Sequence, residues 1–112
     1  GKSMAIVLKR KMAEIIANSI VQNVAKVKAY FSDTTITDIL TASTNVEVDE
    51  TNKCYYANVS FYVTTDNAKT IVKIEFYDNA NNLLFVDDGN LTISINPGTT
   101  NILEKLKISW IE

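Results

Sequence analysis

The chain has 112 residues, 46% of them hydrophobic and 21% charged, which bounds it to one globular domain and sets it apart from charge-rich disordered sequences. Its 11 Lys and Arg against 13 Asp and Glu leave a net charge of −2, with no basic excess to hold a phosphate backbone. Histidine is absent and Cys54 is the only cysteine, which removes imidazole bases, Ser-His and Cys-His nucleophile pairs and intramolecular disulfides.

Gly1-Lys2-Ser3 reads as a residual tag ahead of a natural start at Met4, leaving 4–112 as a single domain. Met4-Ala5-Ile6-Val7-Leu8 is a short apolar run, followed by the basic triplet Lys9-Arg10-Lys11. Apolar residues then recur at Met12, Ile15, Ile16, Ile20, Val24 and Val27, steps of three and four that predict a helix from about Lys9 to Val24. Ala13, Ala17 and Ala25 add helix propensity. The triplet sits at the wrong end of the helix dipole; it is either a solvated first turn or a group that faces an acidic partner surface.

Lys26–Phe31 alternates, with Val27, Ala29 and Phe31 on one face, and predicts a strand. Ser32-Asp33-Thr34-Thr35 breaks it. Ile36–Leu40 admits either one helical turn, capped by Thr35 or Thr37, or a short edge strand. Asn45–Asp49 alternates again, and Asp49–Lys53 reads as a hairpin loop. In Cys54–Thr64, Ala57, Val59, Phe61 and Val63 form an apolar face, while Tyr56, Asn58, Ser60 and Tyr62 form a wetter one.

Ile71 to Ile95 has the densest strand signal and reads as a three-stranded meander. Val72, Ile74 and Phe76 share one face of its first strand; Ile71, Lys73, Glu75 and Tyr77 share the other. Asp78-Asn79-Ala80-Asn81-Asn82 is a turn of residues that bond their own backbone and tolerate left-handed conformations. Leu83–Val86 is apolar throughout, the pattern of a strand buried on both faces or lying at an interface. Asp87-Asp88-Gly89-Asn90 turns the chain again, and Leu91, Ile93 and Ile95 then point one way. Asn96-Pro97-Gly98-Thr99 is a Pro-Gly turn, and Lys105–Trp110 alternates as a closing strand. The expected fold is α+β: an N-terminal amphipathic helix packed on a mainly antiparallel sheet, or small sandwich, of about seven strands.

Chemistry-bearing groups are sparse. Asp87-Asp88 with Asn90, and Asp78 with Asn79 and Asn81, hold oxygen ligands of the kind calcium takes, but turn chemistry explains both and neither has EF-hand spacing. No catalytic residue, metal site or cofactor is expected, and the chain reads as a non-enzyme. Five tyrosines, Tyr30, Tyr55, Tyr56, Tyr62 and Tyr77, suggest a second possibility: strand-borne aromatics, with Tyr56, Tyr62 and Tyr77 as the candidates, form a platform for a carbohydrate or other ligand. The leading expectation is protein–protein assembly, with the strand Leu83, Leu84, Phe85 and Val86 and the helix residues Ile16 and Ile20 as the interface.

One family pattern runs through these elements. The opening Met4–Leu8, the helix and the strand Val27–Phe31 resemble the N-terminal attachment domain of phage tail-collar and tail-fibre proteins. The run from Thr70 through Asp78-Asn79-Ala80-Asn81-Asn82 to Phe85 is similar to that family's strand, acidic turn and apolar return strand, and Leu106–Ile111 to its last strand. Phe76 stands where the family favours a small residue, and Ser32-Asp33-Thr34 lacks its Gly-rich turn. The resemblance implies a structural, homo-oligomeric protein that contacts itself, a tail or virion protein, or both, and that resides in the virion. The charge balance and the lack of a long apolar run, rather than the resemblance, predict no nucleic-acid or membrane partner. Without it, the lack of a secretory signal pattern or a long apolar run predicts a cytoplasmic location.

Overall fold

A computed structural model describes residues 5–112; the expected tag, Gly1–Ser3, and Met4 lie outside the described residues. The segment Ala5–Lys9, in no helix or strand, comes first, so the helix is not the start of the described chain. There follow α1 (Arg10–Asn23), β1 (Lys26–Phe31), β2 (Leu40–Thr41), β3 (Ser43–Asp49), β4 (Cys54–Thr65), β5 (Lys69–Tyr77), β6 (Leu83–Asp87), β7 (Ile93–Ile95) and β8 (Gly98–Ser109). The strands number eight rather than the expected seven, because Ile36–Leu40 is extended. Ile36 bridges Tyr30, and Leu40 pairs with Val27.

The strands form two antiparallel sheets. The first, sheet A, runs β2-β1-β5-β6, with β7 also on β5; the second, sheet B, runs β3-β4-β8. The chain passes between them at Ala42 and in the β4–β5 and β7–β8 connections. Inward side chains from both sheets meet in one cluster: Val27, Ala29 and Phe31 of β1, Val59, Phe61 and Val63 of β4, Ile71, Ile74 and Phe76 of β5, Ile95 and Ile102. Burying such side chains contributes about 1.5–3 kcal/mol each.

Two departures from simple alternation set the surface. In the β1–β5 ladder, Tyr30 opposes Lys73 and Phe31 opposes Ile71, so Val72 is an extra residue. This bulge reverses the pleat, and Ile71 rather than Val72 joins Ile74 and Phe76 inside. The expected meander is also not formed. Both β6 and β7 pair with β5 along the same edge, β6 against Ile74–Tyr77 and β7 against Lys69–Ile71. They are two pieces of one interrupted strand. The residues between them bring Leu91 back against the core.

The helix faces a second cluster, in which Ala13 and Ala17 meet Tyr55 and Trp110. Its core face is therefore carried in part by alanines, while Met12 and Ile15 of the expected apolar stripe stay exposed. Small residues let the helix approach the two large rings closely, 5.3 Å apart at their centroids.

Candidate functional site

Local chemistry explains most polar groups. The Asp78 carboxylate accepts from the Ala80 and Asn82 N–H groups, each at 2.9 Å, and Asn81 takes a positive φ of 63°. The Asp49 carboxylate accepts from the Asn52 N–H at 2.9 Å and closes the β3–β4 hairpin, with Lys53 at φ 52°. Both are hairpin turns held by their own carboxylates. These bonds hold the Asp49 and Asp78 carboxyls below their ordinary value. No group of three or more His, Cys, Asp or Glu gathers among the described residues.

Arg10 and Lys11 of the basic triplet find acidic partners within the chain. Arg10 clasps Glu50 through both terminal nitrogens, Nη1 to Oε2 at 2.7 Å, and lies 4.9 Å above the Trp110 ring. Lys11 reaches Glu14 at 3.1 Å. Tyr55 donates to Glu14 at 3.1 Å, tying α1 to β4 a second time.

The tyrosines are dispersed. Tyr56 and Tyr62 lie on the outer face of sheet B, six residues apart on one strand, with Lys105 Nζ 4.3 Å from the Tyr56 ring centroid. Tyr77 belongs to the outer face of sheet A, where its hydroxyl donates to Glu75 at 2.8 Å and Tyr30 donates to the same oxygen. Burial raises the Glu75 carboxyl, but the two phenols and the nearby lysines outweigh it and hold the group below its ordinary value. Tyr56, Tyr62 and Tyr77 therefore do not make one platform.

The residues expected at an interface do converge. Ile16 and Ile20, with Ser19, Asn23 and Val24, form one wall of an open hollow of about 290 Å³, and Leu84 and Phe85 form the other. The spacing of four puts Ile16, Ile20 and Val24 on one helix face. Opposite them, Phe85 stacks on Phe76 at 4.4 Å and points inward, while Leu84 is the extra residue of a second bulge, between the Phe76–Phe85 and Tyr77–Leu83 pairs. Leu83–Val86 is not buried on both faces. Leu83 is 51% exposed, and Leu84 and Val86 are also open to solvent. β6 pairs with β5 on one side and with no strand on the other among the described residues. The lining carries no charged side chain.

Two features have no counterpart in the sequence reading. Asp87 and Glu104 both point inward, from β6 and β8, and their carboxyls lie within hydrogen-bonding reach; burial first, and Asp87 second, push Glu104 up to about 7. Between-sheet neighbours 17 positions apart leave no motif. A second cleft, of about 440 Å³, lies between Ile36–Leu40 and the end of β4.

Comparison with protein-family models, curated proteins and solved structures finds no match to this chain.

Proposed function

We propose that this chain is a non-enzymatic assembly protein, and that the α1–β6 face is where it joins a second copy of itself. The observation that carries this reading is the apolar hollow bounded by Ile16, Ile20, Leu84 and Phe85, flanked by the exposed Met12, Ile15, Leu83 and Val86. A run of large apolar side chains beside an unpaired strand edge is a surface that soluble proteins ordinarily cover. A second copy fits because the lining of the hollow is uncharged and an open strand edge can pair with its own copy: antiparallel β6–β6 pairing about a two-fold axis would extend sheet A across both subunits and bury the same patch on each. The two sheets, sharing one core, form a small sandwich that holds this face rigid. The sequence resemblance to phage tail attachment domains supports the same class of role, and on that ground the proposal extends to a virion component with a tail protein as a further partner.

Light scattering of the wild type and of Leu84→Glu tests the reading. Leu84 is exposed, so the variant keeps its fold, yet a charge there opposes pairing. The expected result is a wild-type dimer at micromolar concentration and a monomeric variant. A wild type that stays monomeric, or a variant that dimerises equally well, overturns it.

A further inference from the structure

The segment Ala5–Lys9 is an arm outside any helix or strand, and Lys9 at its base has extended backbone. Ile6 is 88% exposed and Val7 is exposed beside it, while a bond from the Ile111 N–H to the Leu8 carbonyl, at 2.9 Å, ties the arm's base to the body. Ile6 and Val7 are β-branched and lie in solvent, with Leu8 and Lys9 after them; such a run favours a strand but has no sheet to join in its own chain.

A sheet edge without a strand lies elsewhere on the molecule. β3 accompanies β4 only from Asp49–Cys54 to Ser43–Ser60 and then leaves for sheet A at Ala42. Phe61–Thr65 continues along β8 on one side and, among the described residues, has no strand on the other. This free edge borders the 440 Å³ cleft, which Tyr62 and Ile36 flank with exposed apolar surface. Asp38 and Asp66 line the same cleft, and neither carboxylate has a hydrogen bond or ion pair among the described residues. The nearby ammonium of Lys69 is occupied: it reaches Thr35 Oγ1 at 2.8 Å and Asp33 at 3.5 Å.

We propose that the arm of one copy adds as a strand to the Phe61–Thr65 edge of another, with Ile6 and Val7 against Tyr62 and Ile36 and Lys9 towards Asp38 and Asp66. Backbone pairing supplies affinity, and side-chain and charge complementarity select this edge over the apolar Leu83–Val86 stretch of β6. A chain's own arm cannot reach. It is anchored beside Trp110, whose N–H bonds Lys53, the residue before β4, whereas Phe61 lies eight residues further along, about 27 Å away at the usual rise per residue. From Leu8 back to Ala5 the chain spans at most about 11 Å. The contact is therefore between copies and heterologous, arm to cleft, so it propagates into a ring or an open chain. It is distinct from the two-fold contact of the α1–β6 face.

The test is NMR titration of the ¹⁵N-labelled protein with an acetylated, amidated peptide of residues 5–11. Saturable amide shifts at Phe61–Thr65 and Ile36–Leu40 are expected. The double variant Asp38→Asn, Asp66→Asn should bind about tenfold more weakly at low salt. A peptide with Ile6 and Val7 both replaced by aspartate should not bind. No shifts at millimolar peptide, shifts centred elsewhere, or equal affinity of the double variant overturns the proposal. The peptide lacks the α1–β6 surface, so this outcome is independent of Leu84→Glu.

Discussion

Glu104 is a carboxyl whose surroundings disfavour its charge. It points inward from β8, half-buried, with Asp87 as its polar neighbour, and burial followed by that carboxyl raises it from 4.5 to about 7. A carboxyl that binds its proton more tightly when folded contributes most stability below about pH 4.5, and loses it as pH rises to about 7. Asp33, Asp49 and Asp78 act in the opposite sense. Their turn hydrogen bonds lower them from 3.8, so their contribution is present above that value and lost as pH falls below it. Stability should therefore peak near pH 4.5–5, between the two windows. Glu104→Gln should raise the melting midpoint at pH 8 by a few degrees, about 1 kcal/mol after discounting for partial exposure, and leave it nearly unchanged at pH 4.5. An equal effect at both pH values would contradict the pairing with Asp87. None of this was legible in the sequence. Asp87 reads there as one half of an acidic turn, and only the stacking of two sheet edges brings Glu104 to it.

Among the elements, those whose pattern is local were legible and those set by pairing were not. Lys26–Phe31 is a strand to the residue, and α1 falls within one residue of its expected bounds at each end, because alternation and the three–four spacing follow from each element's own burial. The faces of β5 were misplaced because the bulge at Val72 is created by the register with β1 and carries no sequence signal. The meander failed for a similar reason: Leu83–Asp87 and Ile93–Ile95 each read as a strand, and nothing in either shows that both lie on β5. The helix stripe at Met12 and Ile15 reads as core, yet the rings of Tyr55 and Trp110 leave room only for Ala13 and Ala17. That tight approach makes a prediction. Ala17→Leu overpacks the helix–sheet contact and should cost about 1–3 kcal/mol in chemical denaturation, where Ile15→Leu, on an exposed position, should cost little. Similar losses for both would mean that the alanine face is not tightly packed.

At the scale of the whole molecule, the expected interface residues Ile16, Ile20, Leu84 and Phe85 come from segments more than 60 positions apart and border one hollow. Their apolar character was legible; their convergence depends on α1 ending beside the β5–β6 hairpin, where the Ala25 N–H bonds the Tyr77 carbonyl at 2.9 Å. The second half of Cys54–Thr65 carries a free edge that no composition rule marks, since only the departure of β3 at Ala42 exposes it. An assembly built on the β6 edge makes that edge the place where association must be felt. The most direct measurement is amide hydrogen exchange of Leu83–Asp87 at low and high protein concentration. Amides that face the open side of β6 should exchange freely in dilute protein and gain protection as concentration rises through the micromolar range, while β5 stays protected throughout. Exchange in β6 that is independent of concentration would contradict the assembly proposed for this face.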